Sequence, residues 1–221
     1  MVSRKITSVD DLSLKEISSI VNKALNFQKS LKQKKTNKPK NIFNLFLEAS
    51  TRTTISFELA AKKLGHNVIN VNFEKSSLSK GETFNDTMDT LISMKPDALI
   101  IRDKNNFSPH EIFQKHKIPI LNAGDGTNEH PTQALLDLFT IQSEMSPFGK
   151  GLDDLNIALM GDLKHGRTVH SLSKLLSLFN NITVTMIAPP ALQMPDGVIS
   201  TLTNAGHKVI LTDKIEGNLS C

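Results

Sequence analysis

The 221-residue chain has no tryptophan, no tyrosine and one cysteine, Cys221, at its last position. A lone cysteine excludes an internal disulfide and points to a reducing, cytoplasmic compartment. No apolar run approaches the ~20 residues of a membrane helix. The opening "MVSRKITSVDD" has no apolar core of the kind a signal peptide needs. The seven histidines are scattered and include no H-x-x-x-H pair, so no metal is expected. No G-x-x-x-x-G-K-[ST] loop, serine elbow or paired carboxylates stand out. That argues against a P-loop, covalent serine chemistry and a carboxylate acid–base pair.

What is present is an ordinary globular mixture, 38% hydrophobic and 22% charged. The net charge of +4 draws much of its excess from "KSLKQKKTNKPK", residues 29–40. Without tyrosine or tryptophan as stacking platforms, this patch reads as a solvated helix end and loop rather than a nucleic-acid surface.

Periodicity organises the chain. Leu12, Leu14, Ile17, Ile20, Val21, Ala24, Leu25 and Leu31 recur at helical steps, predicting a helix over 9–35 capped by Asp10 or Ser13. The nearly continuous apolar run "NIFNLFLE", 41–48, suits a strand covered on both faces. Helices are then predicted at 51–64, 83–94, 109–116 and 131–145. They alternate with strands at 67–73, 97–102 and 118–123. After a linker, "SPFGKGLDD", strands at 156–162, 182–188 and 207–212 alternate with helices at 166–179 and 195–204. Repeated βα units imply an α/β protein with two doubly wound parallel-sheet domains. The expected division is 1–145, linker 146–154, and 155–221, the last domain incomplete with three strands.

Ligands of such sheets bind beyond the C-terminal ends of the strands. The polar clusters fall there: Ser50–Thr54, Ser76–Lys80, Arg102, Asn122–Gln133 and Gly161–Arg167. In "EASTRTTISF" Ser50 can cap a helix, whose free N–H groups and dipole favour an anion. Arg52 adds a planar fork suited to phosphate, and Thr51 and Thr53 add short donors. A capped helix with a solvated arginine fits the stretch equally well. Lys80 alone reads as a solvated loop lysine, and Arg102 as either a ligand or a salt-bridge partner. Gln133 lies one helical turn beyond His130, so the two can face one ligand. Arg167 opens a helix, where positive charge is unfavourable without an anion. Taken together, these residues suggest a concentrated negative substrate, clamped and oriented.

Four motifs in order, "FLEASTRT" (46–53), "SSLSKGET" (76–83), "NAGDGTNEHPTQALLDLFTI" (122–141) and "MGDLKHGRTVHSL" (160–172), resemble the catalytic chain of the aspartate carbamoyltransferase family. The likeness runs from about residue 41 to at least 195 and includes "IAPPALQMP". The sister ornithine family lacks "NAGDG" and the "GDLKHGRTVHS" form. The resemblance implies transfer of a carbamoyl group from carbamoyl phosphate to L-aspartate in pyrimidine synthesis, with no cofactor. It implies that Ser50, Thr51, Arg52 and Thr53 bind the phosphate end. Thr53, Arg102 and His130 would meet the carbonyl oxygen, Gln133 the amide, Arg167 an aspartate carboxylate, and Lys80 the aspartate as well. Ser76 and Lys80 match a loop that enters a neighbouring subunit's site, implying a homotrimer with shared sites. In some relatives trimers associate further with regulatory chains or sister enzymes.

Two departures stand out. Thr54 occupies the place of the second arginine of S-T-R-T-R, which predicts retained binding with altered local packing. The family's later Arg-x-Gln and Pro-Leu-Pro segments do not occur before Cys221. The expectation is a carbamoyl-phosphate half-site without a complete aspartate site. A non-catalytic binding module and an ornithine-type enzyme are the alternatives.

Overall fold

The computed structural model describes residues 4–29, 35–71, 73 and 83–217. Its contacts divide the chain into two compact units: Met1–Thr7 with Lys29–Gly126, and Ser8–Gln28 with Thr127–Cys221.

The first unit is a five-stranded parallel sheet. Its strands are β1 (Lys5–Ile6), β2 (Asn41–Phe46), β3 (Asn67–Val71), β4 (Ala98–Asp103) and β5 (Ile120–Asp125), in the order β1-β5-β4-β2-β3. Between strands run α2 (Thr51–Lys63), α3 (Phe84–Ser93) and α4 (Ser108–His116), following α1 (Leu14–Lys29) of the other unit. Side chains alternate across each strand. Phe43, Leu45, Leu99, Ile101 and Ile120 face one side, where they pack with Met88 of α3 and Ile112 of α4. Asn44 points to the other side and donates to Asn70 at 2.8 Å, and Asn70 donates to Glu58 of α2 at 2.7 Å. Helices therefore cover both faces, as a doubly wound sheet requires. The path from β2 to β3 leads one way and the path from β3 to β4 returns past β2. The strand order thus reverses between β2 and β4, the position where such sheets open a ligand crevice at their C-terminal edge.

The second unit carries a three-stranded parallel sheet, β6 (Asn156–Met160), β7 (Thr183–Ile187) and β8 (Lys208–Thr212). Its helices are α1, α5 (Pro131–Met145), α6 (Arg167–Leu176) and α7 (Asp196–Asn204). α6 packs against both α5 and α7, and six of its ten residues are buried. Among the described residues no helix is long and apolar enough to cross a membrane.

Every strand and helix predicted from periodicity in the described residues is present within a few residues of its expected bounds. The N-terminal helix is shorter than predicted. Val9–Asp11 forms a separate 3-10 turn, Leu12 is extended, and α1 begins at Leu14. Two successive capping boxes account for the break. Ser8 pairs with Asp11, and then Ser13 donates its amide to Glu16 at 3.0 Å while Glu16 N–H returns to Ser13 Oγ at 3.4 Å. Residues 30–34 of that prediction lie outside the described residues. The two-residue β1 is too short to leave a pattern. β5 runs two residues further than expected, into "NAGDG". The buried Asn122 makes this tolerable: its amide donates to Thr7 O and Asp125 Oδ1, both at 2.9 Å, and its Oδ1 accepts Gly124 N–H at 2.7 Å.

Ile101 is fully buried at the centre of the first sheet. Ile101→Ala is expected to remove about 2–5 kcal/mol from the unfolding free energy of that unit, read by urea denaturation.

Candidate functional site

At the C-terminal edge of the first sheet, β2 leads through Leu47–Ala49 into α2. The Leu47 amide donates to the Arg102 carbonyl at 2.8 Å, extending the β2–β4 ladder one step past Phe46. The start of α2 and the end of β4 are thereby brought side by side. Ser50 occupies the N-cap, but its side chain makes no capping bond. This corrects the expectation that its oxygen accepts a backbone N–H. Instead Ser50 Oγ donates to Thr53 Oγ1 at 2.9 Å. Thr54 Oγ1 donates to Ser50 O at 2.8 Å, so Thr54 serves the local turn where an arginine was expected. The first amides of α2 thus keep the orphan donors of a helix start, with no acidic residue in the first turn. Thr51 and Arg52 are exposed there, and Thr53 is half-buried.

Arg102 differs from Arg52. Its side chain is 11% exposed, with Nη2 3.0 Å from Glu48 Oε2 and Nη1 donating to Ala123 O at 3.2 Å. The guanidinium is held between β2's exit and β5. Gly126 closes the adjacent turn with φ +50°, and a Cβ there would lie 2.9 Å from the Lys104 carbonyl oxygen, a backbone atom that cannot swing aside. Only glycine fits.

His130, Gln133 and Arg167 belong to the second unit. His130 is the N-cap of α5 and is 7% exposed; its amide donates to Ser171 Oγ of α6 at 2.9 Å. Gln133, one turn on, donates its amide to Asp137 Oδ1 at 2.8 Å. Burial pushes the Asp137 carboxyl above its ordinary pKa, and the Gln133 bond offsets only part of that. Arg167 opens α6 after Gly166, where a Cβ would sit 2.6 Å from Asp162 O, so the turn demands glycine. Asp162 accepts the His165 amide at 3.0 Å, which holds its carboxyl below the usual range. The predicted residues therefore form two groups: Ser50, Thr51, Arg52, Thr53 and Arg102 in the first unit, and His130, Gln133 and Arg167 in the second. Ser76 and Lys80 lie outside the described residues. An open hollow of about 790 Å³ at the 145–156 connector, lined by Phe148, Lys150 and Asp154 among others, touches none of the predicted residues that are described. Among the described residues no group of three His, Cys, Asp or Glu could hold a metal ion.

The family model described as aspartate/ornithine carbamoyltransferase, carbamoyl-P binding domain, matches residues 4–143. The chain belongs to the aspartate/ornithine carbamoyltransferase family. It is 50% identical over 178 residues to the aspartate carbamoyltransferase catalytic subunit of Cellvibrio japonicus, an alignment covering 80% of this chain and 52% of that one. To the corresponding subunit of Solibacter usitatus it is 42% identical over 206 residues, covering 89% and 67%. Among solved structures it is similar to aspartate transcarbamoylase from Trypanosoma cruzi in complex with aspartate and phosphate. There the TM-score is 0.87 at 39% identity, covering 97% of this chain and 71% of that one. The same enzyme in complex with N-(phosphonacetyl)-L-aspartic acid gives 0.87 at 40% identity, covering 96% and 67%. The chain spans about half the length of the first curated relatives it matches.

Within this carbamoyltransferase fold, sequence reading passed over Glu48, the carboxylate that orients Arg102, and Glu129, which directly precedes His130. Glu129 is 2% exposed and accepts Lys174 Nζ at 2.7 Å. Burial pulls the Lys174 pKa down, but its bond to Glu129 and the charges of Glu129 and Asp10 outweigh that and raise it overall. Lys174 falls seven residues after Arg167, on the same face of α6. That spacing was the one available signal, and it needs a known partner to be read.

The raised Asp137 pKa has a signed consequence. The folded state holds this proton more tightly than the unfolded chain, so ionisation of Asp137 costs stability as pH rises through the carboxylate range. Asp137→Asn is expected to unfold at a higher temperature than the parent at pH 7. The gain should vanish near pH ~3, where both states are protonated, as read from thermal midpoints at the two pH values.

Proposed function

We propose that this chain is the carbamoyl-phosphate-binding part of an aspartate carbamoyltransferase. In this reading residues 1–145 form the carbamoyl-phosphate domain, 146–154 a linker, and 155–221 part of the aspartate domain. The observation that carries it is the start of α2. Orphan amides, Arg52 and no first-turn acid stand at the switch point of a doubly wound sheet, in a chain whose family is established by residues 4–143.

The chemistry follows from charge. The lone pair of the aspartate amine attacks the carbamoyl carbon, and negative charge grows on the carbonyl oxygen. Thr53, Arg102 and His130 are the donors for that oxygen. Collapse breaks the carbon–phosphate oxygen bond and expels phosphate, which takes up the proton released by the amine. Ser50, Thr51, Arg52 and Thr53, with Ser76 and Lys80 from a neighbouring subunit, stabilise the departing dianion. Gln133 reads the carbamoyl amide, and Arg167 holds an aspartate carboxylate. Fixing both anions in register removes much of the entropic barrier. The product is N-carbamoyl-L-aspartate, an intermediate of de novo pyrimidine synthesis.

A cytoplasmic homotrimer with shared sites completes the reading. Support comes from α2, whose outward row exposes Ile55 (49%) and Leu59 (51%), apolar surface one helical turn apart. The aspartate rather than ornithine substrate is favoured by the printed names of the relatives and by the "GDLKHGRTVHS" segment around Arg167.

Calorimetric titration tests this. Carbamoyl phosphate is expected to bind the 221-residue chain, and Arg52→Ala to weaken it by about 10–100-fold, the worth of a charged hydrogen bond. Equal binding by Arg52→Ala, or none by the parent, would defeat the proposal. N-(phosphonacetyl)-L-aspartate binding no better than carbamoyl phosphate would identify a binding module instead.

A further inference from the structure

Three side chains of α6 converge on the turn that delivers His130. The ring nitrogens of His170 stand 3.2 Å from Thr127 O and 2.7 Å from Leu163 O. Ser171 Oγ accepts the His130 amide at 2.9 Å. Lys174 Nζ donates to Glu129 Oε1 at 2.7 Å and lies 3.5 Å from Asp10 Oδ2. Glu129 is also gripped from the N-terminal turn, accepting Ser8 Oγ–H at 2.7 Å and the Val9 amide at 2.9 Å. All these groups lie within the second unit.

A carboxylate with 2% exposure and three donors is a costly object to bury. An apolar residue would fill the same space more cheaply, so stability alone does not account for it. Directionality does. His130 leads into α5 with φ −140° and ψ 75°, outside the regular cap geometry, and its ring meets the helix through Nδ1, 3.4 Å from Thr132 Oγ1. The backbone that carries the ring is held from both sides: Ser171 accepts the His130 amide, and the Glu129–Lys174 pair holds the residue before it.

We propose that Glu129 and Lys174 are positioning residues for His130, acting through α6, the helix that begins with Arg167. Lys174 and Arg167 lie on one face of that helix, so a single rod sets the carbonyl-reading histidine and the aspartate-reading arginine in register. The inference rests on the carbamoyltransferase roles given to His130 and Arg167.

The test uses the 221-residue chain with ¹³C-labelled histidine, following the His130 Cε1–H resonance with and without carbamoyl phosphate. Glu129→Gln and Lys174→Met are each expected to move that resonance in the unliganded chain and to weaken carbamoyl phosphate by about ten-fold. The double variant should go no further than either single one, because the two act as one pair. Lys174→Arg, which keeps the pair, should restore both readouts. Leu172→Ala, a buried apolar change in the same helix, should lower the melting temperature without moving His130. If Glu129→Gln does not fold, Lys174→Met and Lys174→Arg decide the matter alone. An unmoved His130 resonance in Lys174→Met overturns the proposal. So does a shift no larger than that of Leu172→Ala at equal loss of stability. A parent chain that does not bind carbamoyl phosphate would defeat the substrate reading, while the resonance of the unliganded chain would still decide whether the pair positions His130.

Discussion

The bond from the Leu47 amide to the Arg102 carbonyl is the constraint on which the first unit's site depends. It carries the β2–β4 pairing one residue past the strand, so the chain cannot leave β2 in any other direction. The loop it releases is three residues long, and α2 begins at once. Two elements distant in sequence are locked where the strand order reverses, and a charge on each arrives at one edge. The same bond explains why Arg102 is ordered. With its backbone in the ladder, its guanidinium lies within reach of Glu48 on the outgoing loop and Ala123 on β5. An arginine fixed in this way has already lost the rotamer freedom that a surface arginine would lose on meeting a ligand.

Arg52 and Arg102 therefore represent two solutions to holding positive charge. Arg52 is exposed and stands over a helix start, where it adds to a positive end. Arg102 is nearly buried and is compensated by a carboxylate. On the function proposed above, the first would meet a group that arrives and departs with full charge and the second an oxygen whose charge grows during reaction, because an oriented donor in a low-dielectric wall needs no reorganisation when that charge appears. The division of labour follows from burial and partners, not from residue type.

Much of the fold was legible because each strand and helix has its own period. The nearly continuous apolar run of 41–48 suited a strand covered twice, and the buried Asn44 within it donates to the exposed Asn70. What could not be read has local causes. β1 has two residues, a single period, too few to show an alternation. The break at Leu12 depends on capping boxes whose residues also fit a continuing helix. The site was legible as a list of residues at strand ends, but not as a set of partners. Ser50 looked like a cap and is instead bonded to Thr53, because a serine hydroxyl can donate sideways as readily as it accepts. Glu129 sat in plain view beside His130, yet its meaning lies with Lys174, 45 residues on, and Ser8, 121 residues back.

Helix starts provide an electrostatic signature that sequence and structure share. α1, α3, α4 and α7 each have an acidic residue in the first turn: Glu16, Asp86, Glu111 and Asp196. α2, α5 and α6 have none. These three helices begin beside Arg52, His130 and Arg167. An acid in the first turn stabilises a helix by roughly 0.3–1 kcal/mol, so its omission from three helices forgoes stability that the other four gain. In α2 and α6 an arginine is added, which turns a forgone gain into a local repulsion. A negative group brought to those amides would reverse the sign of that cost, and a resident carboxylate would compete with it. On the function proposed above, these helices keep their positive ends for an anion supplied from outside the chain.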